Sequence, residues 1–310
     1  MNNRFITAGK LAEHLKCELL GDKDKKICGI ALMQDSTEDT LTYVISNKRD
    51  QIKDIKAGVI LTKASIGLPL YRTYIISNNE PYYLLNDVIC YMIEKGLYGS
   101  DENCKPVIAD SAVISQNVVI GNGVVIGDRC YIGANTVIGD NTIIEDNVYI
   151  GTCCSIGTEN FEFCKTEHGW SKIRAIGNVR ICHDAFIGGN VVIEKATIGT
   201  TLIGAHTQID NLVEVGHECH IGENCHIVAC TALAGWSEIG NNVDIYGQAA
   251  VSNNVKIGDG AVLLARTGAD KNIPENMIVS GFPAREHKTE MRSQAFLRKL
   301  YEKSIKKDVK

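Results

Sequence analysis

Large rings are scarce in this chain. Only 6 % of its 310 residues are Phe, Trp or Tyr, while Ile, Val and Gly are plentiful. That excludes a core built on bulky aromatic packing and suits thin, repetitive β structure. A long apolar run is also missing. No stretch is long enough to span a bilayer, and the opening "MNNRFITAGKLAEHL" has no apolar segment of the signal-peptide kind. The expected location is the cytoplasm. There is no basic excess either: the net charge is −5, so the chain as a whole has no attraction for nucleic acid or an anionic membrane. Paired CxxC knuckles are absent, although there are twelve cysteines. A reducing compartment keeps such cysteines as thiols.

What the chain does have is a repeat. Aliphatic residues stand at Ile108, Ile114, Ile120, Ile126, Ile132, Ile138, Ile144, Ile150 and Ile156, six apart without a slip. Glycine follows most of them. Four residues after each comes a small or β-branched side chain, such as Ala112, Val118, Cys130, Thr136 or Cys154. A second run goes from Ile203 through Ile209, Val215 and Ile221 to Leu263. Between them lie Ile181, Ile187 and Ile193, joined by two five-residue steps through Ile198. A period of six fits neither a helix nor a simple amphipathic strand; it fits a β-solenoid of hexapeptide repeats. Each hexad gives a short strand and a corner, and three hexads close a triangular coil of eighteen residues. Cys130, Cys154, Cys219 and Cys225 fall in the small-residue column, so they read as buried small hydrophobes.

One interruption, "TENFEFCKTEHGWSKIRA" at 158–175, brings aromatics and charges and is expected to loop out. Phe161 and Trp170 make it a candidate substrate grip, with a simple lid over the coil edge as the alternative. Residues 1–103 lack the period and read as a small α/β domain of possible nucleotide binding. Its elements are a helix after Thr7, strands at "LTYVIS", "GVILT" and "TYIIS", and a helix over 81–96 from Pro81 to Gly96. A linker near Pro106 leads to the solenoid at 104–275. Past Leu263 the period fades. Residues 276–310 read as a closing segment and a C-terminal helix from Lys288, with Met291, Ala295, Leu300 and Tyr301 available to pack. This tail is locally basic, which suits a solvated cap or an acidic partner.

The chemistry points to "IDNLVEVGHECHIG", 209–222. Eighteen residues beyond His217 stands Gly235, and eighteen further Asn253. On such a coil these stack along one edge, about 5 Å apart per coil. An imidazole base beside an exposed backbone N–H is what acyl transfer requires: the base takes a proton from an attacking amine, and the N–H stabilises the oxyanion. Asp210 and Asn211, one hexad earlier, are candidates to hold the imidazole tautomer. No metal site is expected, because His220 and His226 lie on different faces and no close His pair is foreseen. A solenoid scaffold without chemistry is the non-enzymatic alternative.

These segments together resemble the UDP-3-O-acylglucosamine N-acyltransferases of lipid A synthesis. The resemblance implies a left-handed parallel β-helix, with three subunits and sites in the clefts between solenoids. It also assigns roles within "IDNLVEVGH": His217 as base, with Asp210 and Asn211 beside it and Gly235 as the oxyanion donor. No permanently bound cofactor is implied. Three departures stand out. Where the family clamps its base with an aromatic, an Asn and a second aromatic, "YVISNKR" offers Tyr43, Ser46 and Arg49. A second family histidine falls on Asn254. "LLARTGAD" puts Arg266 where a long acyl chain is measured, and "SGFPARE", with Arg285, resembles acetyltransferases that use coenzyme A. Asn253, Asn254, Arg266 and Arg285 are thus the candidate donor contacts. These departures favour an acyl-CoA donor with a short or hydroxylated acyl group, acting on a nucleotide amino sugar such as dTDP-4-amino-4,6-dideoxyglucose. The alternative is the lipid A enzyme, fed by acyl carrier protein.

Overall fold

A computed structural model describes residues 4–63, 68, 72–98, 104–167, 169–281 and 287–308. Its body is a left-handed parallel β-helix whose three faces are sheets of eight, eight and nine strands. Most strands are two residues long, as a six-residue repeat with a four-residue corner demands. The register is set by the period: Val119 pairs with Val137, Val125 with Ile143, and Tyr131 with Tyr149. Each coil donates its N–H groups to the next, as Gly127 does to the Ile144 carbonyl at 2.8 Å.

The aliphatic column points inward, and from Ile126 to Leu263 its solenoid members are buried. Each is worth about 1.5–3 kcal/mol of burial. Cys130, Cys154, Cys219 and Cys225 are buried beside it. Their thiols bond carbonyls of the next coil, Cys154 Sγ reaching the Gly188 oxygen at 3.0 Å and Cys225 Sγ that of Gly240 at 3.0 Å. The corners turn through left-handed residues, most often asparagine, such as Asn135 (φ 60°), Asn147 (φ 59°) and Asn224 (φ 54°).

The eighteen-residue register is lengthened twice, both times at one edge. Ile144 pairs with Ile181, so one coil carries a long excursion. Ile193 pairs with Val215, so the coil through 194–199 carries four extra residues. We call this the first edge; it includes 157–177, 194–199, 216–219, 234–237 and 252–255. The second edge follows one face later (145–148, 182–185, 204–207), and the third after that (133–136, 210–213, 264–267). The segment expected to loop out over 158–175 folds as an antiparallel hairpin, Phe163–Thr166 against Gly169–Lys172. Its Cys164 and Ile173, with Ile198 from the short steps, leave the solenoid column and join the N-terminal core.

That core lies under a five-stranded sheet in the order Glu18–Leu20, Thr73–Ser77, Val59–Lys63, Thr40–Val44, Gly29–Ile30, parallel except for the first strand. Helix α1 (Ala8–His14) starts where the Thr7 hydroxyl accepts the Lys10 N–H. Helix α2 (Leu85–Glu94) follows a 3-10 turn at Pro81–Leu84. Gly96 ends it in a left-handed conformation, φ 73°.

At the far end, pairing continues past Leu263 through Gly268–Ala269 and Ile278–Val279. The last coil is two residues short, with Val262 facing Ile278, which is why the six-residue step fades there. Helix α3 (His287–Asp308) begins one residue before Lys288. Met291, Ala295, Leu300 and Tyr301, expected to pack, are exposed. Among the described residues no helix is long and apolar enough to cross a membrane.

Candidate active site

His217 sits at the first edge, just after the strand Glu214–Val215, in the corner where Gly216 lets the next coil approach. Its ring lies directly on Gly235 of the following coil: a Cβ added there would meet Nε2 at 2.6 Å and Cε1 at 2.7 Å. Only glycine fits beneath the imidazole. At residues 122, 128, 223 and 241 the corner N–H is capped by an Asp or Asn side chain eighteen residues on. Asn253 stands eighteen residues beyond Gly235, yet among the described residues no bond to the Gly235 N–H is formed. This amide is left available at the edge.

The far side of the ring is held by carboxylates. His217 Nδ1 is 2.5 Å from Glu218 Oε2 and 3.6 Å from Glu162 Oε2. A carboxylate at Nδ1 selects the tautomer with its proton there and leaves the Nε2 lone pair toward Gly235. The His217 N–H donates to Glu194 Oε2 at 3.1 Å. Glu218 is fixed in turn: its other oxygen accepts the Ile198 N–H at 3.0 Å, and its own N–H donates to Thr201. Glu218 holds a left-handed corner, φ 53°, where asparagine is the usual choice. A non-glycine residue costs roughly 1–2 kcal/mol there, a cost offset at a site that needs the carboxylate. Glu162 accepts from Tyr82 at 3.0 Å and from the Thr197 hydroxyl. Glu162, His217 and Glu218 bring three ligand atoms within 4.8 Å of one another, held by hydrogen bonds among themselves and from Tyr82.

Burial alone would push the His217 imidazole pKa down. The Glu218 hydrogen bond and the charges of Glu162 and Glu194 outweigh it, so the pKa lies above the ordinary histidine value. Burial, then the charges of Glu162 and Glu218, push the Tyr43 phenol well up. The Tyr82 phenol is raised by burial and by Glu162.

His217 opens into a cavity of about 730 Å³ between the first edge and the N-terminal sheet. Tyr43 and Ser46 line it, as do Phe161, Asn253 and Asn254. Ser46 is bonded to Glu80, its Oγ donating at 2.5 Å and its N–H at 3.1 Å. Trp170 is exposed on the hairpin and does not line the cavity. Nothing is described of the Arg49 side chain, and Arg285 lies outside the described residues.

Two further expectations differ from the geometry. Asp210 and Asn211 stand on the third edge, because one hexad is one face of the prism. Their carboxamide and carboxylate bond the Gly189 and Ala229 N–H groups of adjacent coils. Within the chain, Glu218 makes the contact to His217 that was expected of them. Arg266 is also on the third edge, exposed, with Nε donating to Gln248 Oε1 at 2.7 Å. Sequence reasoning missed Glu162, Glu194, Glu218 and Tyr82, and also Trp236, which lines the cavity. Only Glu218 carried a signal: a carboxylate beside the histidine, at a corner position where asparagine is the most frequent residue.

Three comparisons bear on this geometry. Residues 105–140 and 200–235 match the family model "Bacterial transferase hexapeptide (six repeats)". The UDP-3-O-acylglucosamine N-acyltransferase of Campylobacter lari is 41 % identical over 143 residues, 46 % of this chain and 45 % of that protein. The enzyme of the same name from Wolinella succinogenes is 39 % identical over 150 residues, 48 % of this chain and 47 % of that protein. The chain thus spans about half the length of the curated relatives it matches. The solved Francisella novicida UDP-N-acetylglucosamine acyltransferase superimposes with a TM-score of 0.50 and 24 % identity, over 61 % of this chain and 72 % of that one, a likeness of fold. This is a hexapeptide-repeat chain that resembles, over about half its length, the UDP-3-O-acylglucosamine N-acyltransferases.

Proposed function

We propose that this chain transfers a 3-hydroxyacyl group from a thioester to the amine of a UDP-3-O-acylglucosamine. The observation that carries the reading is the His217 ring seated on Gly235 at the cavity wall, with its Nδ1 held by Glu218 and its Nε2 toward that glycine. The amine nitrogen attacks the thioester carbonyl and its proton passes to His217 Nε2. The Gly235 N–H steadies the oxyanion. The C–S bond then breaks, the amide forms, and the thiolate takes up the proton. No cysteine is needed as nucleophile, in keeping with the buried thiols of the small-residue column.

This corrects the expectation of a short acyl-CoA donor and a dTDP-linked amino sugar. Relatives at 34 to 41 % identity are named UDP-3-O-acylglucosamine N-acyltransferase. The feature that argued against a long acyl chain also loses its force, since Arg266 is on a different edge from His217. Tyr43 and Ser46 supply part of a nucleotide wall on the cavity. The basic segment 285–310 is a charge match for an acidic acyl carrier protein as donor. Tyr131, Tyr149 and Phe186 stack in an outward row on one face, the last two exposed, which supports an assembly of several copies.

The test is direct. Purified enzyme is given UDP-3-O-acylglucosamine and 3-hydroxyacyl carrier protein, and the doubly acylated product is sought by mass spectrometry. Transfer supports the proposal. Failure with both carrier-protein and CoA thioesters overturns it.

A further inference from the structure

We propose that His183, Asp184 and His206 form a site for a divalent transition-metal ion on the second edge. His183 Nδ1 is 2.7 Å from Asp184 Oδ2, and His206 Nδ1 is 4.0 Å from the same oxygen. The two imidazoles meet edge to face with centroids 5.2 Å apart. All three ligand atoms lie within 4.8 Å of one another. Zinc bonds nitrogen and carboxylate oxygen at about 2.0–2.2 Å, so tetrahedral ligands sit roughly 3.3–3.5 Å apart. The present separations straddle that range, and a small rotation of two exposed side chains closes it. Exposure leaves a fourth position for water.

Two contacts hold the corner, one of them through the His183 backbone. Glu145 Oε2 accepts the His183 N–H at 3.0 Å, and the Asn147 side chain bonds Asp184. The surrounding field is negative: Glu145 and Glu223 both act on His183, and the nearby Arg180 is paired with Glu145.

This pair contradicts the expectation that no close His pair exists. The two histidines are 23 residues apart, not 18 or 19, because the four extra residues at 194–199 lie between them. The ion would join two successive coils where the register between them is broken, a clip across a widened turn. The site is on a different edge from His217 and does not rest on the proposed reaction.

Zinc titrated by calorimetry into the metal-stripped full chain tests it. The wild type is expected to bind one ion at this site, with a rise in Tm. Asp184→Asn and His206→Asn should each weaken that binding at least about 10-fold and remove the Tm rise. Asparagine already fills the same corner column at Asn147 and Asn224, so both variants keep the backbone. His217→Ala should leave zinc binding unchanged. The proposal is overturned if the wild type does not bind, if both second-edge variants bind as well as wild type, or if His217→Ala abolishes binding.

Discussion

The first and third edges of the prism are made by the same six-residue rule, yet they spend their polar side chains differently. On the third edge the register is unbroken. Thr136, Asn211 and Arg266 bond the corner beside them, and the result is a stack of sealed turns. On the first edge two coils are lengthened, which brings Glu162 and Glu194 to the histidine and Thr197 to Glu162. Regular coils provide rigidity, and the irregular ones provide a place for chemistry. A carboxylate that would be needless in a sealed corner becomes the support of a base.

The contrast can be broken at its strongest point. His217→Ala should lower turnover by ~10²-fold or more, with an unchanged far-ultraviolet spectrum and Tm close to wild type. Unaltered turnover with saturating substrates would remove the first edge from the mechanism. Glu218→Gln should cost about 10-fold, and it should also move the pH profile. His217 works as a base only when neutral, and its pKa is raised. Activity should therefore fall as pH drops through a midpoint above the ordinary histidine value. Without the Glu218 charge, burial gains weight and that midpoint should shift to lower pH. An unshifted acidic limb would show that Glu218 does not set the base.

How much of this was legible beforehand follows from the period. The aliphatic column, the eighteen-residue coil and the stacking of His217 on Gly235 come from counting, because each depends on spacing alone. Glu162 and Glu194 do not, since they lie where the count fails, and nothing local tells which way an inserted segment folds back. Asp210 and Asn211 are near His217 in sequence but stand on another edge. A prism converts six residues of sequence into a change of face. His183 and His206 were hidden by the same four residues that widened the first edge.

Smaller effects sharpen the other side of the comparison. Thr136 is fully buried; its hydroxyl donates to the Gly151 carbonyl at 2.9 Å and accepts the Cys154 N–H at 3.1 Å. Thr136→Val should destabilise the fold by about 1–3 kcal/mol in denaturant titration while leaving kcat as it was. A fall in kcat without loss of stability would blur the division between edges. Arg266→Ala, on an exposed third-edge corner, should change stability by less than about 0.5 kcal/mol.

The placement of both added segments at one corner bears on which lengths of chain this protein tolerates. Deleting a residue within 194–199 would shorten a bight that leaves the prism and returns to it, and every later isoleucine would still face inward. Deleting one from the tight corner at 188–191 would advance the alternation of the remaining strands by a single step, and the whole downstream aliphatic row would turn toward water.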